Sequence, residues 1–150
     1  MKTQFLNPKA LYEPRFFTHA VSVEGAAKLV YVSGQVSYDR DGIVMGGGEI
    51  REQCEQIFKS LTHALRAAGA AWADVIKING YMVGLNPAAV NVYREVRSRY
   101  FDKNRMPAST LVGVDRLVHE DLLLEVEVIA ALSGNKPAGK KVPKKTKKKS

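Results

Sequence analysis

Two segments decide the fold: Met106-Pro-Ala-Ser-Thr-Leu-Val-Gly-Val-Asp-Arg-Leu117 and Leu122-Leu-Leu-Glu-Val-Glu-Val-Ile-Ala-Ala-Leu132. In the second, Leu122, Leu124, Val126 and Val128 alternate with Leu123, Glu125, Glu127 and Ile129. That period of two describes a strand with one apolar face and one face carrying two carboxylates. Ser109 to Val114 reads as the strand before it, and the stretch from Val118 to Asp121 as the turn between them.

Working outward, Asn86-Pro87 is a strong helix start, a capping residue followed by proline at the first helical position. Ala89, Tyr93, Val96 and Tyr100 continue that helix at helical spacing to about Phe101. Val75 to Val83 is a strand with Ile76, Ile78 and Met82 expected on one face. Upstream, Ile50, Cys54, Ile57, Leu61 and Leu65 form one stripe of a helix from about Glu49 to Ala68, with Gly69 suited to its C′ position. Phe16 to Val23 and Lys28 to Val32 flank Glu24-Gly25-Ala26-Ala27, which predicts a hairpin. Asp39-Arg40-Asp41-Gly42 is a second turn, and Gly46-Gly47-Gly48 a loop.

The order ββαβαββ predicts an α+β fold, a mixed sheet with two helices packed on one face. The expected division is an N-terminal arm over 1–15, a domain over 16–133 and a tail over 134–150. The chain's 150 residues suit one domain with a real core. Its net charge of +8 is not spread over that domain. Eight of the 23 Lys+Arg lie in 134–150 and none of the 15 Asp+Glu does, so the rest balances at 15 against 15. The tail is expected to be disordered and to bind RNA or DNA phosphates, if at all, without sequence preference. No apolar run is long enough to span a bilayer, and the lone Cys54 cannot form an internal disulfide, so a cytoplasmic protein is expected. His19, His63 and His119 lack metal-ligand spacing, so neither a metal nor a cofactor is expected.

The two opening segments together resemble the C-terminal signature of the RidA (reactive intermediate deaminase, or YjgF) family. That signature reads Pro-Ala-Arg-Ser/Thr, a strand, Arg-Leu, a short turn and Val-Glu-Ile-Glu-Ala. Pro107-Ala108, Thr110, Arg116-Leu117 and Glu125-Val126-Glu127 fit, with one extra residue allowed in the turn; Ser109 stands where the family has arginine. Ser33-Gly34-Gln35 matches the family's Ser-Gly-Gln. The resemblance covers roughly Phe16 to Leu132. It implies a chorismate-mutase-like fold, a homotrimer with a pocket at each subunit interface, and a small imine or enamine metabolite as ligand. The family is also labelled endoribonuclease L-PSP, although no convergent acid–base pair for RNA cleavage is evident here.

The same resemblance assigns roles. Glu125 falls on the glutamate that holds or activates the attacking water, and a carboxylate on a mostly apolar strand is a reasonable general base. The alternative is an interface glutamate paired with an arginine across subunits, the reading favoured for Glu127. Phe17 aligns with a pocket tyrosine and keeps only its ring. Asn91 aligns with a pocket asparagine. Ser109, Thr110 and the backbone near Gly34 would orient the substrate. An arginine at 109 would grip a substrate carboxylate by two charge-assisted bonds, which one short hydroxyl does not reproduce. Deamination of 2-aminoacrylate-type imines is therefore expected to be weak or absent. Arg15 and Arg105 are candidate replacements for the lost guanidinium. Two readings stay open: a trimer that binds and hydrolyses the metabolite, and a non-catalytic trimer presenting basic tails to nucleic acid.

Overall fold

The computed structural model describes residues 1–134, and the tail from residue 135 onward lies outside the described residues. Its elements are β1 (Lys2–Leu6), β2 (Ala20–Glu24), β3 (Lys28–Gln35), α1 (Ile50–Ala67), a 3-10 turn (Trp72–Asp74), β4 (Val75–Val83), α2 (Pro87–Ser98), β5 (Ala108–Val114) and β6 (Leu124–Leu132). Four strands form the main sheet in the order β3-β6-β4-β5. β4 and β5 run parallel, and the other pairs are antiparallel. A parallel neighbour needs a crossover connection, and α2 supplies it. The fold is α+β, with both helices on one face of a mixed sheet.

Alternation explains which face they cover, except at Ile76: β4 shifts register between Val75 and Lys77, and Ile76 is half-buried beside Phe5 rather than in the core with Ile78 and Met82. Val30 and Val32, Ile78 and Met82, and Leu124, Val126 and Val128 are buried beneath Ile57, Phe58, Leu61 and Leu65 of α1 and Tyr93 and Val96 of α2. Each such side chain contributes about 1.5–3 kcal/mol relative to exposure. Asn86 caps α2 as its sequence predicts, its Oδ1 accepting from the Ala89 N–H at 3.0 Å. The helix stops at Ser98, earlier than Phe101, because Arg99 and Tyr100 donate to carbonyls only three residues back. Tyr100 and Phe101 instead pack beyond the helix end, against Trp72. Gly69 holds the left-handed conformation that ends α1, with φ of 75°. On the outer surface, Glu95 takes Arg51 through two bonds and Arg99 through a third, and Arg99 also reaches Glu55, tying α2 to α1.

The expected hairpin between Phe16–Val23 and Lys28–Val32 does not form. β2 pairs with β1, from Lys2↔Glu24 to Leu6↔Ala20, while β3 pairs with β6. Gly25 does turn the chain, at φ 66°. However, Thr18 bridges to Ala108 at the outer edge of β5, and the Ala27 N–H bonds Leu132 O beside β3. The chain thus travels from one edge of the sheet to the other between these points, and β2 cannot lie along β3. The first residues, expected to be an arm without periodicity, supply the strand that β2 needs.

Candidate functional site

The face of the sheet without helices carries the polar residues. Glu125, Glu127 and Ile129 of β6 alternate out of the core, as do Lys77, Asn79 and Tyr81 of β4 and Tyr31 and Ser33 of β3. One groove lies there, and a second extends from Glu125 around to Ser60 of α1. The first, of about 230 Å³, is bounded by Tyr31, Ser33, Lys77, Asn79, Glu127 and Ile129. The second, of about 460 Å³, is bounded by Gly34, Val36, Tyr38, Asp39, Val118 and Glu125 among others.

Glu127 in the first groove is held. Its Oε1 accepts from Asn79 Nδ2 at 2.8 Å and from the Tyr81 hydroxyl at 3.1 Å. That bond raises the Tyr81 phenol above its ordinary pKa, aided by partial desolvation and the charge of both glutamates. Lys77 Nζ donates to Thr110 Oγ1 at 2.8 Å rather than to either carboxylate. Asn79 Oδ1 is buried without a hydrogen-bond partner among the described residues.

Glu125 is different. β3 carries an irregularity between Val32 and Gln35, and this places Gly34 directly beneath the Glu125 side chain. A side chain at position 34 would collide with the Glu125 carboxylate, so any residue larger than glycine there would displace it. Neither oxygen of Glu125 is taken by a protein donor among the described residues. The start of β6 is fixed by Gln53, a fully buried side chain of α1. Gln53 Oε1 accepts from the Leu123 N–H at 2.8 Å, and its Nε2 donates to Asp121 O at 2.6 Å and to Gly46 O at 3.3 Å. Together these contacts leave one free carboxylate over an open backbone.

The other residues singled out from the sequence do not gather around Glu125 within one protomer. Ser109 pairs with Ile78, while Glu125 pairs with Tyr81, three positions farther along β4. Ser109 also shares its face of β5 with Leu111, which packs on the core, whereas Thr110 faces Lys77. Phe17 sits in a mutually edge-on trio with Tyr12 and His19, at centroid distances of 5.1–6.1 Å. Asn91 is exposed on α2, and Arg15 is exposed. Arg105 lies over the Phe5 ring at 5.3 Å. Two residues that sequence reasoning passed over bear on the site. Gln53 sits beside the apolar stripe and signals nothing by spacing, and Asp39 reads only as a turn residue. Cys54 offers no nucleophile, because burial pushes its thiol up to about 12. Among the described residues no three His, Cys, Asp or Glu side chains meet in a metal-binding group.

A family model described as endoribonuclease L-PSP matches residues 9–132. The chain belongs to the Rid (YjgF) family. A RutC family protein of Pyrococcus abyssi is 33% identical over 114 residues, 76% of this chain and 84% of that protein. The human 2-iminobutanoate/2-iminopropanoate deaminase is 27% identical over 114 residues, 76% of this chain and 78% of the human protein. Among solved structures, the Rid protein YyfB of Yersinia pestis superposes with a TM-score of 0.78 at 31% identity, covering 88% of this chain and all of that one. The chorismate-mutase-like fold expected for the Rid family agrees with that likeness. No helix among the described residues is long and apolar enough to cross a membrane.

Proposed function

We propose that this Rid protein hydrolyses a small imine, or the enamine in equilibrium with it, at Glu125, as a homotrimer in which a neighbouring subunit closes the groove. The observation that carries the reading is the Glu125 carboxylate lying over Gly34 with no protein donor on it. Such a group is available to a water molecule. Glu125 takes a proton from water as the oxygen adds to the C=N carbon, and the nitrogen is protonated. The resulting carbinolamine collapses to a carbonyl compound and ammonia. A positioned general base is typically worth about 10²–10⁴ in rate.

Three features support the trimer. Tyr31 is 72% exposed, Leu29 beside it and Val112 on the opposite edge strand are exposed on the face that no helix covers, and Asn79 Oδ1 is buried there without a partner among the described residues. A buried acceptor left unpaired costs about 1–3 kcal/mol, which a donor from an apposed subunit would recover. Ser109, Thr110 and Phe17 do not reach Glu125 within one protomer, so a cleft that used them would take them from the adjoining subunit. The test is ammonia release from an imine generated in solution, with light scattering on the same sample. Acceleration over buffer by a trimer is expected. A stable monomer at micromolar concentration contradicts the shared cleft, and binding without acceleration contradicts hydrolysis.

The eight lysines of 134–150 support a second reading, a trimer that presents basic tails to nucleic acid with avidity but no sequence preference. Truncation before Gly134 separates the two. Retained imine turnover with lost RNA retention makes the tail accessory, and RNA retention that survives truncation or high salt places that activity elsewhere.

A further inference from the structure

Among the described residues, two acids and no base line the groove that holds Glu125. Asp39 is the second acid, and no described Lys, Arg or His of the same protomer borders the groove. Asp39 is not free to swing away. Its Oδ1 accepts from the N–H groups of Asp41 and Ile43, both at 2.9 Å, and its own N–H bonds Ile43 O at 3.0 Å, which locks the turn. The remaining wall is mixed: Val36, the Tyr38 ring and Val118 give it an apolar part, and Gln35 and Ser60 a polar one. Neither candidate arginine offsets the acids within the protomer, since Arg15 is not part of the groove and Arg105 rests on Phe5. Ser109 has no charge to offer.

We infer that Asp39 makes this groove selective for imines that carry no carboxylate, taken as neutral imines or iminium cations with a small apolar substituent. The inference rests on the Glu125 hydrolysis reading and names its substrate class. A substrate carboxylate would enter a groove to which this protomer's described residues bring two negative charges and no guanidinium, and like charges lining one groove repel. The iminium form meets the opposite situation, because both acids favour a positive nitrogen. That form is also the better electrophile. Water oxygen bonds to its carbon, the π electrons move to nitrogen and Glu125 accepts the water proton. That proton then passes to nitrogen, Glu125 takes the hydroxyl proton as the C–N bond breaks and hands it to the departing ammonia, and a carbonyl compound and an ammonium ion leave without any change of oxidation state. The apolar part of the wall, Val36, the Tyr38 ring and Val118, suits a hydrocarbon group on the carbon.

Two imines that differ only in the carboxylate provide the test: benzaldimine, released from benzylamine by an amine oxidase, and the imine of phenylglycine, released by an amino-acid oxidase. Their decay is followed by absorbance with the full-length protein. The expected kcat/KM for benzaldimine is at least tenfold the higher. Asp39→Asn keeps an oxygen for the two N–H groups and removes the charge, so it should narrow that ratio, mainly by lowering KM for the carboxylate-bearing imine. A wild-type ratio of one or below overturns the selectivity while leaving hydrolysis intact. A ratio unmoved by Asp39→Asn, in a variant of wild-type melting temperature, overturns the role of Asp39. Acceleration of neither imine overturns the hydrolysis reading itself and this inference with it.

Discussion

Glu125 and Glu127 stand two residues apart on the same face of one strand, about 7 Å along the chain, yet their surroundings are opposite. Glu127 lies at the middle of the sheet, between donors from β4, and spends one oxygen on Asn79 and Tyr81. Glu125 lies where β3 bulges, and what faces it is the bare backbone of Gly34. Strand alternation sets which face a carboxylate occupies, and the cross-strand neighbour sets whether it is a structural acceptor or a free base. Glycine is the neighbour that leaves it free.

The sharpest way to break this contrast is to fill the space under Glu125. Gly34→Ala would push the carboxylate aside, and since only the end of a flexible side chain must move, the melting temperature should change little. Activity should fall by about 10²–10⁴, the usual share of a general base. Steady-state turnover and thermal unfolding of the same variant check both halves. A smaller effect on turnover comes from loosening the start of β6. Gln53→Ala strands the Leu123 N–H and the Asp121 carbonyl, and it should destabilise the fold by on the order of 3 kcal/mol with a partial loss of turnover. Denaturant unfolding measures the first and the imine assay the second.

The smallest effect belongs to the Glu127 side. Tyr81 has a folded-state pKa raised above its ordinary 10.0, chiefly through its bond to Glu127. Its contribution to stability is therefore complete below about pH 10 and is lost as pH rises through the raised value. Tyr81→Phe should lower the melting temperature slightly near neutrality and reduce its decline at alkaline pH, leaving imine turnover close to wild type. Melting curves across the alkaline range check this.

Much of the fold is legible in the sequence because periodicity and capping are local. Asn86-Pro87, the stripe from Ile50 to Leu65 and the alternation of Leu122 to Ile129 each report their own element. The β2–β3 hairpin misleads because a turn at Gly25 fixes a bend and not a partner. The partner of β2 comes from Lys2–Leu6, which alternates too weakly to be read as a strand alone. In the site, Glu125 and Gly34 are visible through the family signature, but their contact depends on a bulge that no local pattern marks. Asp39 is harder still, since an Asx turn reads the same whether or not its carboxylate borders a groove. Ser109 shows the reverse case. Its identity is plain in the signature, but pairing register and alternation place it away from Glu125 in the same protomer.

The most direct test of the account is a side-by-side measurement of imine turnover by Glu125→Gln and Glu127→Gln, with melting temperatures on both. Glutamine keeps the size of each side chain, and at 127 it keeps an oxygen for Asn79 and Tyr81. Glu125→Gln should lose at least 100-fold in kcat at unchanged stability, a fall within the range of a general base, while Glu127→Gln should stay within a few-fold of wild type. Full activity in Glu125→Gln, or the larger loss in Glu127→Gln, would contradict it.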